Sequence, residues 1–171
     1  MKVGSACGVL AGSVDGVLAG RGLKICGVCD NVSDMKNGKT GKIDISALNV
    51  PPERHEYETA RYFASRGYDV IFIRPSNVKG LHNPDFKICN KVWETKSPSG
   101  ESKRTFEDNF RKAIKQSEHI IIDLRRISAK QEKWCIEKLK KENRLSFVVK
   151  TLLVITRDGR LLTIKGKFDN V

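Results

Sequence analysis

A single mixed β-sheet flanked by helices, an α/β fold, is what three features of this 171-residue sequence predict. Segments with helical apolar spacing interleave with short runs rich in β-branched and aromatic residues, as in a sheet covered by helices. Two pairs of those runs fold back across tight-turn signals, one around Asn90-Lys91 and one around Asp158-Gly159. The run Ile120-Ile121-Ile122-Asp123-Leu124 is almost wholly apolar, the mark of a strand buried on both faces. From Pro51 onward the order is αβββαβαββ.

Residues 1–50 show no such pattern and read as a glycine-rich extension or linker, with the main domain of the protein at 51–171 and Pro51-Pro52 at the division. The pentapeptide GVLAG occurs twice, at Gly8–Gly12 and Gly16–Gly20, and so many glycines disfavour helix and strand alike. Lys2 and the small apolar residues after it mimic a leader, but glycines and Asp15 interrupt the apolar run. Asn37-Gly38-Lys39-Thr40-Gly41-Lys42 is turn-like and lacks the spacing of a phosphate-binding loop. No stretch approaches the roughly 20 apolar residues of a membrane span. The five cysteines have no disulfide-framework spacing, which suits a reducing place of action. Cys26 and Cys29 make half of a zinc site with only Cys7 nearby, too few ligands for the metal.

Each element after Pro51 has a local cause. Pro52 to Ser65 reads as a helix, with proline at its start, Gly67 just past its end, and Glu56, Ala60 and Phe63 along one stripe. Glu56 thus sits at the edge of the apolar face. Tyr68 to Arg74 is a β-branched and aromatic strand, and Pro75 to Pro84 a loop carrying His82. Asp85 to Cys89 and Val92 to Lys96 alternate polar with apolar residues and form a hairpin. Ser102 or Thr105 caps the next helix, whose core stripe is Phe106, Phe110, Ala113 and Ile114. Ser128 caps a third helix to about Lys141, and Val148 to Thr156 pairs with Leu161 to Ile164 around Asp158-Gly159.

The hairpin carries the chemistry. With Asn90-Lys91 as a two-residue turn, Cys89 faces Val92, Lys87 faces Glu94 and Asp85 faces Lys96. Asp85, Lys87, Glu94 and Lys96 then share one face. Asp85 and Glu94 come close enough to share a hard divalent cation, with Lys96 beside them to orient a water or to stabilise charge on phosphorus. Opposite charges paired across a hairpin are also what a solvated sheet face shows, so the rest of the chain has to decide. Lysine and arginine exceed aspartate and glutamate by 32 − 20 = 12, an excess that favours a polyanionic partner, nucleic acid first.

The succession of a helix with an inward Glu56, a strand, Pro84-Asp85, Glu94-Thr95-Lys96, a helix with Gln116 and a buried strand resembles the PD-(D/E)xK nuclease superfamily. Across Glu53 to Gly166 the chain is also similar to nuclease toxin domains at the C-termini of bacterial contact-dependent growth-inhibition proteins, some of which cut tRNA. The likeness rests on NPDFKI, VWETKSP and QSEHIIIDLRR. It implies a restriction-endonuclease-like core and an endonuclease cleaving RNA, tRNA foremost, with Asp85 and Glu94 as ligands of Mg, Mn or Zn. Lys96 would be the water-activating lysine, Glu56 an accessory acid and Gln116 a polar residue near the site. The resemblance further implies a cognate immunity protein and action in the cytoplasm of a target bacterium, after delivery within a larger protein. Lys103, Arg104, Lys112, Arg125 and Arg126, with Lys138, Lys140 and Lys141, would hold phosphates without reading sequence. Two readings stand beside this one. Metal-independent RNases of the barnase, colicin and RelE type would use Lys96, Ser97 and Thr105, and a nucleic-acid-binding module would have no turnover at all.

Overall fold

The computed structural model describes residues 39–142 and 148–168. The GVLAG pair and Cys7, Cys26 and Cys29 lie outside the described residues. The elements are β1 (Ile43–Asp44), α1 (Arg54–Ala64), β2 (Val70–Phe72), β3 (Phe86–Ile88), β4 (Lys91–Lys96), α2 (Lys103–Gln116), β5 (His119–Asp123), α3 (Ala129–Lys140), β6 (Thr151–Ile155) and β7 (Leu161–Lys165). The order expected from Pro51 onward is therefore the order observed. All the strands among the described residues join one mixed sheet in which spatial order follows chain order, β1 to β7. β2, β3 and β4 form an antiparallel meander; β4, β5 and β6 run parallel, with α2 and α3 as the crossovers; β7 returns antiparallel to β6.

Helices cover both faces because the central strands are apolar on both. Ile120, Ile122, Leu152 and Val154 point to one side, where they pack with Phe106, Phe110 and Ala113 of α2 and Cys135 and Leu139 of α3. Ile121, Leu153 and Ile155 point to the other, with Ala60 and Phe63 of α1, Phe72 and Phe86 from the meander, and Trp93. Of the two candidate caps of α2 Ser102 takes the position, its Oγ accepting from Thr105 N, and Ser128 caps α3 as expected, its Oγ accepting from Gln131 N. α1 begins two residues later than its proline pattern indicates, because Glu53 takes the N-cap position.

The first hairpin departs from the expected register. Its turn is Cys89-Asn90, both left-handed at φ 50° and 59°, so Ile88 faces Lys91, Lys87 faces Val92 and Phe86 faces Trp93. This arrangement sets the two large aromatic side chains directly opposite each other, a favourable cross-strand pair. It puts a cysteine in a conformation that costs about 1–2 kcal/mol for a residue with a Cβ. Sliding the turn by one residue changes both strands together, so odd residues of β3 still face even residues of β4.

Chain ahead of Pro51 also enters the sheet. β1 pairs parallel with β2 through Ile43–Val70 and Asp44–Ile71. Lys42 N donates to Asp69 Oδ1 at 2.7 Å, Val70 N to Lys42 O at 2.8 Å, and Gly41 N to Ala64 O at 2.8 Å. A Cβ on Gly41 would sit 2.1 Å from the Tyr68 carbonyl oxygen, so only glycine allows this approach. A chain starting at Pro51 should accordingly melt at a lower temperature than one starting at Lys39, and Gly41→Ala should cost about 1–3 kcal/mol. Equal melting temperatures for the two truncations would show that β1 adds nothing to the sheet's stability.

Candidate active site

The site lies where the β3–β4 ladder ends. Asp85 precedes β3, and its amide donates to Trp93 O at 3.0 Å, although Trp93 already faces Phe86. Two residues of one strand thus oppose one of the other, which is a β-bulge, a device that re-aims a side chain. Asp85 Oδ2 accepts from Thr95 N at 2.6 Å and from Thr95 Oγ1 at 2.8 Å. A strand's N–H points along the sheet plane, so the carboxylate takes the place of the next strand's carbonyl. It lies in the sheet rather than on the one face that simple alternation predicts.

That position lets Asp85 interact with acids on both sides. Glu94 pairs in register with Ile120 and Lys96 with Ile122, so both point toward the layer of α2 and α3. Glu56 belongs to α1, on the opposite layer, and its Oε2 accepts from Glu53 N at 3.1 Å. Asp85 and Glu56 together line a cavity of about 410 Å³, while Glu94 and Lys96 lie outside its lining. The four expected residues are therefore neighbours around Asp85, not a row on one strand face.

Glu94 is fully buried. Its Oε1 accepts from Lys96 Nζ, and its Oε2 is enclosed with no hydrogen-bond partner among the described residues. Burial, then the charge of Asp85, pushes its carboxyl up to about 8 despite the lysine. Burial likewise raises Asp85, opposed by the two bonds from Thr95 and by the charges of Lys96 and His55. Glu56 is raised by burial and then by Asp85. Three acids raised by burial, two of them raised further by Asp85, with one lysine among them, are a concentrated negative site awaiting positive charge. Among the described residues no three His, Cys, Asp or Glu side chains stand close enough to hold a metal by themselves. Asp85 and Glu94 nonetheless present the hard oxygen donors a divalent cation takes, one of them a buried oxygen without a partner, and Mg²⁺ completes its shell with water and phosphate.

The remaining expected residues divide. Gln116 ends α2, beside Ser117, whose hydroxyl donates to Val92 O at 2.9 Å. That is the far end of β4 from Lys96, roughly 13 Å along the strand, so Gln116 is not a neighbour of the acids. Arg125 is half-buried and its guanidinium is already engaged: its Nε donates to Asp123 Oδ1 at 2.9 Å and its Nη2 to Glu58 O at 3.1 Å. Asp123 is buried and also accepts from Thr59 Oγ1 at 2.9 Å, which ties α1 to β5. Arg125 thus fixes the helix that carries Glu56 and is not a free phosphate ligand. Arg126 is exposed, with Nη1 reaching Ser97 O at 3.5 Å. Lys103, Arg104 and Lys112 are exposed on α2 as expected; Arg104 is 3.9 Å from Asp108, and Lys103 lies over the Trp134 ring. His55, which carried no signal in the sequence, stands near Asp85 with its Nδ1 3.2 Å from Glu53 Oε2. Only its place on α1, one residue before Glu56, offers a hint.

The raised Glu94 gives a pH dependence whose sign is opposite to that of most carboxylates. Its folded value, about 8, lies above the 4.5 of an unperturbed glutamate. The fold thus favours the protonated form; this stabilisation is complete below about pH 4.5 and is lost as pH rises through 8. Asp85 and Glu56 act in the same direction. In metal-free protein, Glu94→Gln should flatten the fall in melting temperature between those limits and match or exceed the parent's stability at pH 9. A parent whose stability rises across that interval would contradict the burial of this carboxyl.

Residues 82–161 match the family model of the contact-dependent growth inhibition CdiA C-terminal domain. The match takes in the hairpin, α2, β5, α3 and β6, and begins after α1 with its Glu56. No curated protein sequence matches the chain. Its fold is similar to that of a chain from the CdiA-CT/CdiI toxin and immunity complex of Burkholderia pseudomallei, with a TM-score of 0.55 and 21% identity over 73% of this chain and 99% of that one.

Proposed function

We propose that the chain is the toxin domain of a contact-dependent growth-inhibition system and an endonuclease that hydrolyses RNA, with tRNA the foremost candidate, in a metal-dependent reaction. The observation that carries this reading is the buried Glu94, with its unpartnered oxygen, coupled to Asp85, Glu56 and Lys96 at the end of the hairpin. A solvated face would leave the three carboxyl groups exposed and at ordinary pKa values. The net charge of +12 supplies the attraction for a polyanion that three acids alone would repel. The family match and the likeness to a toxin–immunity complex support the toxin assignment, a cognate immunity partner and delivery within a larger protein. The place of action would be the cytoplasm of the target cell, where RNA is found.

Asp85 and Glu94 would hold a divalent cation, which supplies Lewis acidity toward a phosphoryl oxygen and lowers the pKa of bound water. The two bonds from Thr95 support this role for Asp85: they hold one carboxylate oxygen and leave Oδ1 for a ligand. Glu94 must lose its proton to bind, so metal affinity should rise with pH toward 8. Lys96 sits against Glu94 and neutralises part of the negative charge where a phosphate must approach. In the reaction a water oxygen forms the new bond to phosphorus, the bond to the leaving ribose oxygen breaks, and that oxygen takes up a proton. Glu56, which feels the charge of Asp85 from α1, would accept the proton from water.

Attack by the RNA's own 2′-hydroxyl receives less support. It would draw on Lys96, Ser97 and Thr105, yet Ser97 Oγ is enclosed without a partner among the described residues and Thr105 lies exposed in the first turn of α2. Purified protein and total RNA separate the readings. Cleavage should stop in EDTA and return with Mg²⁺, Mn²⁺ or Zn²⁺, leaving a linear phosphate end. Asp85→Ala and Glu94→Ala should each lower turnover by roughly 10²-fold or more while RNA affinity at fixed salt stays nearly unchanged. Full activity in EDTA with a 2′,3′-cyclic phosphate product would overturn the metal-dependent reading.

A further inference from the structure

The cavity that opens on Asp85 and Glu56 has more in it than the acids require. Its walls include the accessible rings of Pro51 and Pro52, with the buried Phe72 behind them, an apolar lining against which a planar ring can pack. Asn49, Asn77 and Arg74 stand on the same cavity, all three exposed, and none has a side-chain partner among the described residues. Asn83, also on the wall, is by contrast fixed: its Oδ1 accepts from Ser76 N at 2.8 Å and its Nδ2 donates to Ser76 O at 3.1 Å. The cavity thus combines a braced rim, apolar sides, two free amides and one free guanidinium.

We propose that this cavity is a nucleoside subsite that takes one unpaired nucleobase next to the phosphodiester addressed by Asp85 and Glu94. Each part has a counterpart in such a ligand. A carboxamide offers a donor and an acceptor side by side, which matches the edge of a base. A guanidinium plane stacks on a base or pairs with a phosphate. The volume, about 410 Å³, lies within the range of small-ligand sites. A base can enter only when it is unstacked and unpaired, so the subsite selects single-stranded segments and loops over duplex. This presupposes the nuclease reading and sharpens its substrate class: a loop or a free end, not a helical stem.

Binding can be measured apart from turnover in a Glu94→Gln background, since Glu94 does not line the cavity. A fluorescent single-stranded RNA hexamer and a duplex of the same sequence are titrated at one salt concentration. The single strand should bind more tightly. Asn77→Trp, which fills the cavity from an exposed position, should weaken its binding about tenfold. Asn49→Ala and Arg74→Gln should weaken it severalfold. Duplex binding should be unaffected by Asn77→Trp and Asn49→Ala. In the active protein the same variants should raise KM for single-stranded substrate more than they lower kcat. Duplex and single strand binding alike, with Asn77→Trp indifferent, would overturn the subsite even if Asp85-dependent cleavage stands. Single-strand binding lost on Asn77→Trp without any cleavage by the parent would keep the subsite and remove the nuclease reading.

Discussion

The carboxylate of Asp85 ends a β-ladder by imitating it. Where β3 stops, Thr95 N–H would face a gap at the centre of the sheet, and a buried amide without an acceptor is rarely tolerated. Asp85 Oδ2 fills that gap and takes the Thr95 hydroxyl as well. The bulge beside Trp93 is what turns the side chain into place. Beyond this point β4 runs on with only β5 as a strand partner, so the sheet is split and a space opens over its plane. The acids, the cavity and the approach from α1 all depend on that split. A hairpin with continuous pairing would have closed it.

Holding Glu94 beneath the surface works against the fold, since burial is the largest influence on its carboxyl. The surrounding structure carries that cost. Ile120, Ile121 and Ile122 on β5 and Leu152, Leu153 and Val154 on β6 are all buried, so the strands beside the site have apolar cover on both faces. The Asp123–Arg125–Thr59 network clamps α1 to β5 from the same end of the sheet. A local group that is unfavourable in isolation persists when well-packed neighbours determine its position, as is common at sites of chemistry.

What the residues announced and what they concealed follows from range. Helix caps at Ser102 and Ser128 are set by atoms a few residues apart and could be read directly. The run from Ile120 to Leu124 likewise had one sensible reading. The hairpin turn was displaced by one residue because nothing in a cysteine signals a left-handed backbone; the pairing of Phe86 with Trp93 decided it. Asp85, Glu94, Lys96 and Glu56 were legible as a set, yet their arrangement was not, since the bulge answers to a demand made by Thr95 ten residues away. β1 is two residues long and has no periodicity to detect. Arg125 and Arg126 look alike in the chain, and only the buried Asp123 separates an internal clamp from a surface cation. Gln116 had a suitable chemical type but sits at the wrong end of its helix.

Because spatial order in the sheet follows chain order, every strand docks on the strand made just before it. No strand waits for a distant segment to insert between two others, and no connection has to thread a finished layer. Each docking step closes a loop no longer than a helix and its turns, and the entropy of closing a loop grows only slowly with such lengths. The growing edge is always the most recent strand. A sheet of this kind can therefore assemble progressively as successive segments become available, from one end of the chain to the other. An extended chain that emerges end first into a new compartment would find its folding steps already in the order of its arrival.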